Sequence, residues 1–355
     1  MTRPASLLPA ANALTEALER FPETRFMGSK RRLLPIIADV VSELGAQSAL
    51  DPFAGSGCVA YLLKRLGLSV TAGDMLAFSY HWVNASVANS TEILTSDDLA
   101  MLVSRNPNAD DFISRTFRGL YFSDDDNRFL DELWANTLGL RNSLKRSLAL
   151  SAATRACLKR RARGVFTYTG QRYDDGRKDL RTSLRDHFLD AAGLWNNAVF
   201  DNDRACSAYH SDVFDLPFQA FDLVYVDPPY FTPHSDNEYT RRYHFIEGLV
   251  SYWEDVEIQQ HTKTKKIVRR ETPFQRRTSV YDAFDRLFAK YRGATFVVSY
   301  SSNCLPTREE MVAILKRYCD AVEVVDISHT YTFGTHAHKV GNRRNRVTEY
   351  LFIAT

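Results

Sequence analysis

The chain has 355 residues, of which 45% are hydrophobic and 25% charged, and 45 Lys and Arg against 43 Asp and Glu give a formal net charge of +2. This length fits one large domain with an insertion or two domains, and the composition is that of a globular protein with a sizeable core. No uninterrupted apolar run has the length of a signal-peptide core or a membrane span, so no membrane partner is expected. Five scattered cysteines without a CxxC pair argue against a zinc ribbon or a disulfide framework, and we expect a reduced, cytoplasmic protein without a bound metal.

The first informative segment, residues 26–32, reads FMGSKRR and precedes LLPIIADVVSEL, a run with helical apolar spacing. A loop with a glycine and a lysine ahead of a helix can place backbone N–H groups and one cation against an anion such as a carboxylate. A helix entry with solvated basic residues would look the same. By itself this segment is therefore weak evidence for a ligand.

A stronger pattern follows in SALDPFAGSGCVAYLLKRLG, which predicts a strand from Ala46 to Phe53, a tight loop through Gly55 and Gly57, and a helix to Leu66. The next strand, SVTAGDM, ends in Asp74, about 20 residues after the loop, where dinucleotide-type folds hold ribose hydroxyls. This register favours an adenosine-containing ligand over a merely tight turn. Neither GxGxxG nor GxxxxGK[ST] is present, which argues against a dehydrogenase or an NTPase.

From about Ser90 to Asn202 the alternation of strands and helices stops, and the sequence predicts several helices instead. Between Arg155 and Arg185 there are ten Lys and Arg against three Asp, mixed with aromatic residues. Such a surface is expected where a protein follows phosphates and probes bases, although a solvated helix face would have a similar composition. We interpret residues 91–202 as a recognition region inserted into a catalytic domain formed by residues 1–90 and 203–355.

Residues 231–253 predict a polar loop that leads into an aromatic-rich helix, and a second basic block, KTKKIVRRETPFQRR, follows within residues 231–280. We interpret this block as a phosphate-binding arm rather than a mobile loop. Across the two basic segments, the residues predicted to contact nucleic acid are Arg160, Arg161, Arg163, Arg172, Lys265, Lys266, Arg269 and Arg270.

The sheet resumes at RACSAYHSDVF, where Asp212 follows a predicted strand. Its carboxylate could accept from the amine of a cofactor adenine, with Val213 or Phe214 against the ring, although a turn-capping acid would look the same. The apolar run from Phe221 to Val226 then predicts a buried parallel strand. Further on, ATFVVSYSSN, a helix from Pro306 to Cys319, AVEVVDISHTYTF and VTEYLFIAT predict a strand, a helix, a strand and a closing antiparallel strand.

The tetrapeptide Asp227-Pro228-Pro229-Tyr230 lies where the buried strand leaves the sheet, which is where α/β sheets bind ligands. Each proline fixes its own φ and restricts the preceding residue, so the carboxylate and the nearby carbonyls are stiffly held acceptors. Two acceptors beside the flat face of a tyrosine suit a planar heterocycle that carries an NH₂ group. The alternative is a proline-stiffened strand exit with a capping acid.

In this order the motifs resemble the Dam-like, group alpha DNA N6-adenine methyltransferases. The resemblance spans nearly the whole chain except residues 91–202, which cannot be matched motif by motif. The sequence departs from the family in having Val213 where Phe is common and in the long basic stretch after the tetrapeptide. The matching segments are residues 26–30, Asp51 to Gly57, Asp74, Ser211 to Val213, Asp227 to Tyr230, and Ser299-Tyr300 with VTEYLFIAT.

The resemblance implies an α/β fold with a Rossmann-like seven-stranded methyltransferase sheet and a mainly helical inserted target-recognition domain. It implies transfer of the methyl group of S-adenosylmethionine to a flipped adenine in double-stranded DNA, with a restriction endonuclease as an optional companion. Asp227, Pro228, Pro229 and Tyr230 would be catalytic. The implied cofactor-binding residues are Phe26, Gly28, Lys30, Asp51, Phe53, Ala54, Gly55, Asp74, Asp212, Val213 and Asp227.

Three alternatives remain open from the sequence. The two acceptors of the tetrapeptide also suit a cytosine amine, so an N4-cytosine DNA methyltransferase is the nearest alternative. Asp rather than Ser before PPY favours adenine. An RNA methyltransferase or a protein amide methyltransferase would share the residues that bind the cofactor. A catalytically silent nucleic-acid-binding protein could keep the fold, but the acids at positions 74, 212 and 227 argue against it.

Overall fold

A seven-stranded mixed sheet organises the computed structural model, which describes residues 8–170, 173–231, 239–254, 256–268, 270–330 and 346–355. The strand order is β3-β2-β1-β4-β5-β7-β6. The first five strands in this order are parallel, and β7 lies antiparallel between β5 and β6. The predicted seven-stranded α/β sheet with a closing antiparallel strand is confirmed. The strands are β1 Ser48–Asp51, β2 Ser69–Asp74, β3 Ser207–His210, β4 Leu223–Val226, β5 Thr295–Ser301, β6 Val322–Thr330 and β7 Arg346–Ala354.

Helices cover both faces of this sheet and fill the long connection between β2 and β3. The helices α1, α2 and α3 pack on one face, and α11 and α12 pack on the other. The helices are α1 Leu8–Arg20, α2 Leu34–Leu44, α3 Cys58–Arg65, α4 Ala77–Val83, α5 Ser96–Leu102, α6 Phe112–Thr116, α7 Asp124–Thr137, α8 Ser143–Arg160, α9 Leu184–Ala198, α10 Tyr239–Ser251, α11 Val280–Lys290 and α12 Arg308–Leu315.

Burial on both faces of the sheet explains the apolar run of β4. Leu223 and Tyr225 pack with α2 and α3, whereas Val224 and Val226 pack with α11. All four residues are buried, and β4 is parallel to β1 and β5. Successive strand residues point to opposite faces, so a central strand covered on both sides needs an apolar residue at every position. The strand therefore ends where the chain becomes polar, at Asp227.

Between β2 and β3 the chain forms α4 to α9 in place of a single crossover helix. Trp82 of α4 and Trp195 of α9 are fully buried in one hydrophobic core that also contains Phe245 of α10. The indole nitrogen of Trp82 donates a hydrogen bond to Thr154 Oγ1 of α8 at 2.9 Å. The helical insertion is thus packed on the catalytic sheet through α4 and α10, and its boundaries at residues 91 and 202 remain a prediction.

Some elements differ from those that the sequence predicts. The helix predicted from Pro306 to Cys319 begins only at Arg308, because Thr307 and Glu310 form reciprocal capping hydrogen bonds. The helices α4, α6, α9 and α11 were not predicted individually, whereas α10 is the aromatic-rich helix predicted within residues 231–280. Among the described ranges, no helix combines the length and the apolarity needed to cross a membrane.

Candidate active site

The carboxyl ends of β1, β2 and β4 border one cleft of about 900 Å³, which opens to solvent. Strand order reverses between β1 and β4, and such switch points are where open α/β sheets bind ligands. Pro229 lines the cleft, Pro228 is buried outside the lining, and Tyr230 is partly exposed beside the cleft, next to Asp227. All eleven residues implied to bind the cofactor line it, namely Phe26, Gly28, Lys30, Asp51, Phe53, Ala54, Gly55, Asp74, Asp212, Val213 and Asp227.

Two tyrosines of α10 hold Phe26. Its ring stacks on Tyr239 and Tyr243 at centroid distances of 5.4 and 5.3 Å. The backbone N–H of Met27 donates to the Tyr243 hydroxyl at 2.7 Å. Gly28 has a φ of +79°, and a Cβ there would lie 2.8 Å from the Tyr239 hydroxyl, so both conformation and space favour glycine. The N-terminal segment is therefore fixed by a helix that lies far away in the sequence.

The loop after β1 is tied to Asp74 at the end of β2. One carboxylate oxygen of Asp74 accepts the Gly55 N–H at 2.8 Å, and the other accepts the Leu76 N–H at 2.8 Å. Burial raises the pKa of Asp74 to about 7, although these backbone hydrogen bonds oppose the rise. Asp74 therefore shapes the loop and also presents a carboxyl group that titrates near neutral pH.

Asp51 ends β1 and is buried where it meets the cleft. Its Oδ1 has no hydrogen-bond partner among the described residues. Burial, and next the negative charge of Asp227, raise the pKa of Asp51 well above its usual value. A positively charged ligand in the cleft would favour the ionised form of this group.

Lys30, Asp227 and Tyr230 form the charged centre of the site. The Lys30 ammonium lies 2.8 Å from Asp227 Oδ1 and 5.0 Å from the centre of the Tyr230 ring. The Tyr230 hydroxyl donates to the same carboxylate oxygen at 3.1 Å. Burial raises the pKa of Asp227, and the charge of Lys30 limits that rise. Burial also disfavours the charged form of Lys30, but Asp227 and Glu349 outweigh it and raise the Lys30 pKa, which favours an ion pair.

Asp212 and Val213 border the cleft just after β3. Asp212 Oδ1 accepts the Phe214 N–H at 2.9 Å, which is the turn-capping contact considered as the alternative to ligand binding. A carboxylate offers about four acceptor positions, so this contact is compatible with a hydrogen bond to a ligand amine. Val213 is buried and adds an apolar surface beside it.

Arg270, predicted to contact DNA, lines the same cleft. Its guanidinium donates to the Met75 carbonyl at 2.9 Å and lies 3.4 Å from Glu247 Oε1. Glu247 is 1% exposed at its side chain, and its two oxygens accept the first two N–H groups of α4 at 3.1 and 3.3 Å. The buried carboxylate attracts the guanidinium, so the structure places Arg270 in the wall of the cleft that Asp74 also lines.

Arg161 is also placed differently from its prediction. The residue is 4% exposed, and its guanidinium donates to the backbone carbonyls of Tyr121, Tyr168 and Gly170. A guanidinium held in this way joins two parts of the insertion and cannot reach a phosphate. The assignment of Arg161 to a DNA surface is therefore wrong.

The remaining predicted DNA contacts have mixed environments. Arg163 is partly exposed and lies 3.6 Å from the ring centre of Tyr173. Arg160 is 3.7 Å from Asp126, Lys265 donates to the Gln260 carbonyl at 2.7 Å, Lys266 is partly buried, and Arg172 and Arg269 lie outside the described residues.

These observations define a class of protein. Burial raises the pKa values of Asp51, Asp74 and Asp227, which all line this cleft. A ligand with a sulfonium and an ammonium group would supply positive charge that favours the ionised forms of these acids. S-adenosylmethionine has both, together with a ribose diol and an adenine ring that match the remaining lining. The fold and the site are those of a Rossmann-like methyltransferase that acts on a planar amine.

Comparison with known proteins gives the family. The profile of the D12 class N6 adenine-specific DNA methyltransferases matches residues 26–302, and the chain belongs to this family. It is 28% identical over 352 residues to the type II methyltransferase M2.HphI of Haemophilus parahaemolyticus, covering 94% of this chain and 98% of that protein. It is 26% identical over 325 residues to the type II methyltransferase M.FokI of Planomicrobium okeanokoites, covering 83% of this chain and 47% of that protein. The chain is an S-adenosylmethionine-dependent, adenine-specific DNA methyltransferase.

Proposed function

We propose that the chain methylates adenine N6 at a specific sequence of double-stranded DNA, with the target base flipped into the cleft and its amine held by Asp227 and a carbonyl of Pro228 or Pro229. The observation that carries this proposal is the Lys30–Asp227 ion pair at the end of β4, in the same cleft as Asp51 and Asp74. An amine inside a duplex cannot reach such a cleft, so flipping would cost a few kcal/mol. Stacking on Tyr230, about 1 to 3 kcal/mol per base, would offset part of that cost.

The proposed cofactor contacts follow the lining of the cleft. Phe26, Gly28 and Lys30 would flank the methionine end of S-adenosylmethionine, and Asp74 would accept from the ribose hydroxyls. Asp212 would accept from the adenine amine. When bound, the cofactor supplies an electrophilic methyl group.

The chemical task of the protein is to make a weakly nucleophilic amine reactive. The lone pair of an adenine amine is delocalised into the ring, and hydrogen bonds from both amine hydrogens to Asp227 and a proline carbonyl favour the tetrahedral nitrogen of the transition state. Lys30 favours the ionised form of the Asp227 carboxyl group, since its charge opposes the effect of burial on the pKa. The proton can leave after the methyl group has been transferred.

Transfer of labelled methyl groups to unmethylated plasmid DNA tests the proposal. We expect label in N6-methyladenine after hydrolysis of the DNA, and long-read mapping of modified bases should show one recognition sequence. Label in N4-methylcytosine, or transfer to RNA but not to DNA, would contradict it.

Cofactor affinity should depend on pH through Asp74. The ionised carboxylate is the better acceptor for ribose hydroxyls, and its pKa is about 7, so affinity for S-adenosylmethionine should rise between about pH 6 and pH 8. Calorimetric titration at both pH values measures the change. In Asp74→Asn the rise should disappear, and an unchanged pH dependence in this variant would assign the effect to another group.

Arg270 and Arg163 offer a matched pair of substitutions. Arg270→Gln removes the cation that lies beside the buried Glu247 carboxylate and lines the cofactor cleft. We expect loss of this ion pair, worth about 1 kcal/mol, to weaken S-adenosylmethionine binding about fivefold. Arg163→Gln should instead weaken DNA binding and lower the slope of log affinity against log salt by about 0.9, one phosphate contact. If Arg270→Gln changes the salt dependence and not the cofactor affinity, Arg270 contacts DNA after all.

We also propose a place beside a type II restriction endonuclease, since M2.HphI and M.FokI are named type II methyltransferases. DNA from cells that express the chain should resist an endonuclease that cuts at the mapped recognition sequence. Cleavage at fully methylated sites would contradict this role.

A further inference from the structure

Glu349 is a buried acid on β7 that none of the roles above uses. It is 2% exposed and pairs across the sheet with Ser301, at the carboxyl end of β5. Since β5 lies next to β4, this register brings Glu349 to the edge of the sheet where Asp227 and Tyr230 emerge. Glu349 and Asp227 both raise the pKa of the Lys30 ammonium, so this cation attracts both acids.

The Tyr230 hydroxyl lies between the two carboxylates. It is 3.1 Å from Asp227 Oδ1 and 3.4 Å from Glu349 Oε2. A phenol has one proton, so a full hydrogen bond can be donated to only one of these acceptors at a time. The Tyr230 ring packs edge-on against the Tyr300 ring, with the ring centroids 4.9 Å apart. This contact keeps the Tyr230 hydroxyl within reach of both carboxylates.

Donors compete for Asp227. The Lys30 ammonium and the Tyr230 hydroxyl both use Oδ1, at 2.8 and 3.1 Å. A carboxylate oxygen has about two acceptor positions, so these two donors fill Oδ1 and leave an arriving adenine amine the choice of Oδ2 or of displacing the phenol. With the phenol in place, three donors share the charge of one carboxylate, which weakens the hydrogen bond of the amine. A second acceptor for the phenol proton would remove this competition.

We propose that Glu349 is a positioning residue that accepts the Tyr230 hydroxyl when the target amine occupies Asp227, so that the carboxylate is released for the amine while the Tyr230 ring stays in place. The inference rests on the proposed function of Asp227 as the amine acceptor. The covalent O–H bond of the phenol stays intact. Only the acceptor of its hydrogen bond changes, from Asp227 to Glu349.

Two substitutions separate the acceptor from the charge. Gln at position 349 keeps an oxygen acceptor without the negative charge, and Ala removes both. We expect Glu349→Ala to lower kcat about tenfold to a hundredfold, the effect of losing one hydrogen bond to a charged group, and to leave the Kd for S-adenosylmethionine unchanged. Glu349→Gln should restore most of the rate.

A double-mutant cycle with Tyr230→Phe gives the decisive test. Methyl transfer to plasmid DNA is measured for the full chain, the two single variants and Tyr230→Phe/Glu349→Ala. If Glu349 acts through the Tyr230 hydroxyl, Glu349→Ala causes less than about a twofold further loss in the Phe background. Losses that multiply, or a Gln variant as slow as the Ala variant, would overturn the inference. If Glu349→Ala does not fold, Glu349→Leu, which has no acceptor and a similar size, takes its place.

The failure of this inference can be told from failure of the proposed function. If Asp227→Asn is inactive and the Glu349 and Tyr230 effects multiply, only the role of Glu349 is wrong. If Asp227→Asn is fully active, the amine clamp itself is wrong and the inference falls with it.

Discussion

Asp227→Asn is expected to slow methyl transfer by at least about a hundredfold while it changes the Kd for S-adenosylmethionine by no more than a few fold. The amide has the size of the acid but lacks the charge that pairs with Lys30 at 2.8 Å and favours the tetrahedral amine in the transition state. Single-turnover transfer of labelled methyl groups gives the rate, and calorimetric titration gives the affinity.

A nearby acid provides the control. Asp222 precedes β4, and its exposed carboxylate accepts the backbone N–H groups of Gln47 and Ser48 at the opposite end of the sheet, so Asp222→Asn should keep its activity. Asp227→Ala should also be inactive, but it removes the ion-pair partner of the buried Lys30 ammonium, and breaking a buried ion pair costs about 3 to 5 kcal/mol of stability. Cofactor binding that falls as steeply as methyl transfer would show that Asp227 belongs to the cofactor pocket alone.

Lys30→Met is expected to move the acidic limb of the pH dependence of kcat to higher pH. Lys30 opposes the effect of burial on Asp227, so its removal raises the pKa of that carboxyl group further. A nearby cation changes the ionised fraction of a carboxyl group by about tenfold to a thousandfold, so activity on the acidic limb should fall by a comparable factor. Because the carboxylate is the active form, activity should recover as the pH is raised above that limb.

The conservative variant and the whole pH profile decide between two roles for Lys30. Lys30→Arg keeps the positive charge and should keep the acidic limb near its original position, even if the larger side chain slows the reaction. A loss in Lys30→Met that is equal at every pH, measured at saturating S-adenosylmethionine, would show that Lys30 does not control the ionisation of Asp227.

The strand-end residues illustrate why much of the candidate site was predictable. Asp51, Asp74, Asp212 and Asp227 each end or follow a strand, and parallel strands place their carboxyl ends at one edge of a sheet. Once those segments are recognised as strands, the acids are expected to meet. The structure brings all four to one cleft.

The basic residues illustrate what composition cannot predict. Arg161 and Arg163 lie two positions apart in the same basic run, yet Arg161 is buried against three carbonyls and Arg163 is partly exposed on a tyrosine ring. Arg270 belongs to the second basic run but lines the cofactor cleft, since Glu247 of α10 attracts it. Charge counts describe a segment, whereas burial depends on which partner each side chain meets.

By itself, the sequence determined the order of the motifs, the strand ends and therefore the family and the chemistry, because these depend on local patterns of a few residues. The tertiary structure decided which cation pairs with Asp227, that Tyr239 and Tyr243 hold Phe26, and that Glu349 lies beside Tyr230. Each of those contacts joins segments that are distant in the chain. Their geometry is set by how β7 and α10 pack on the sheet, and no spacing rule along the sequence contains that information.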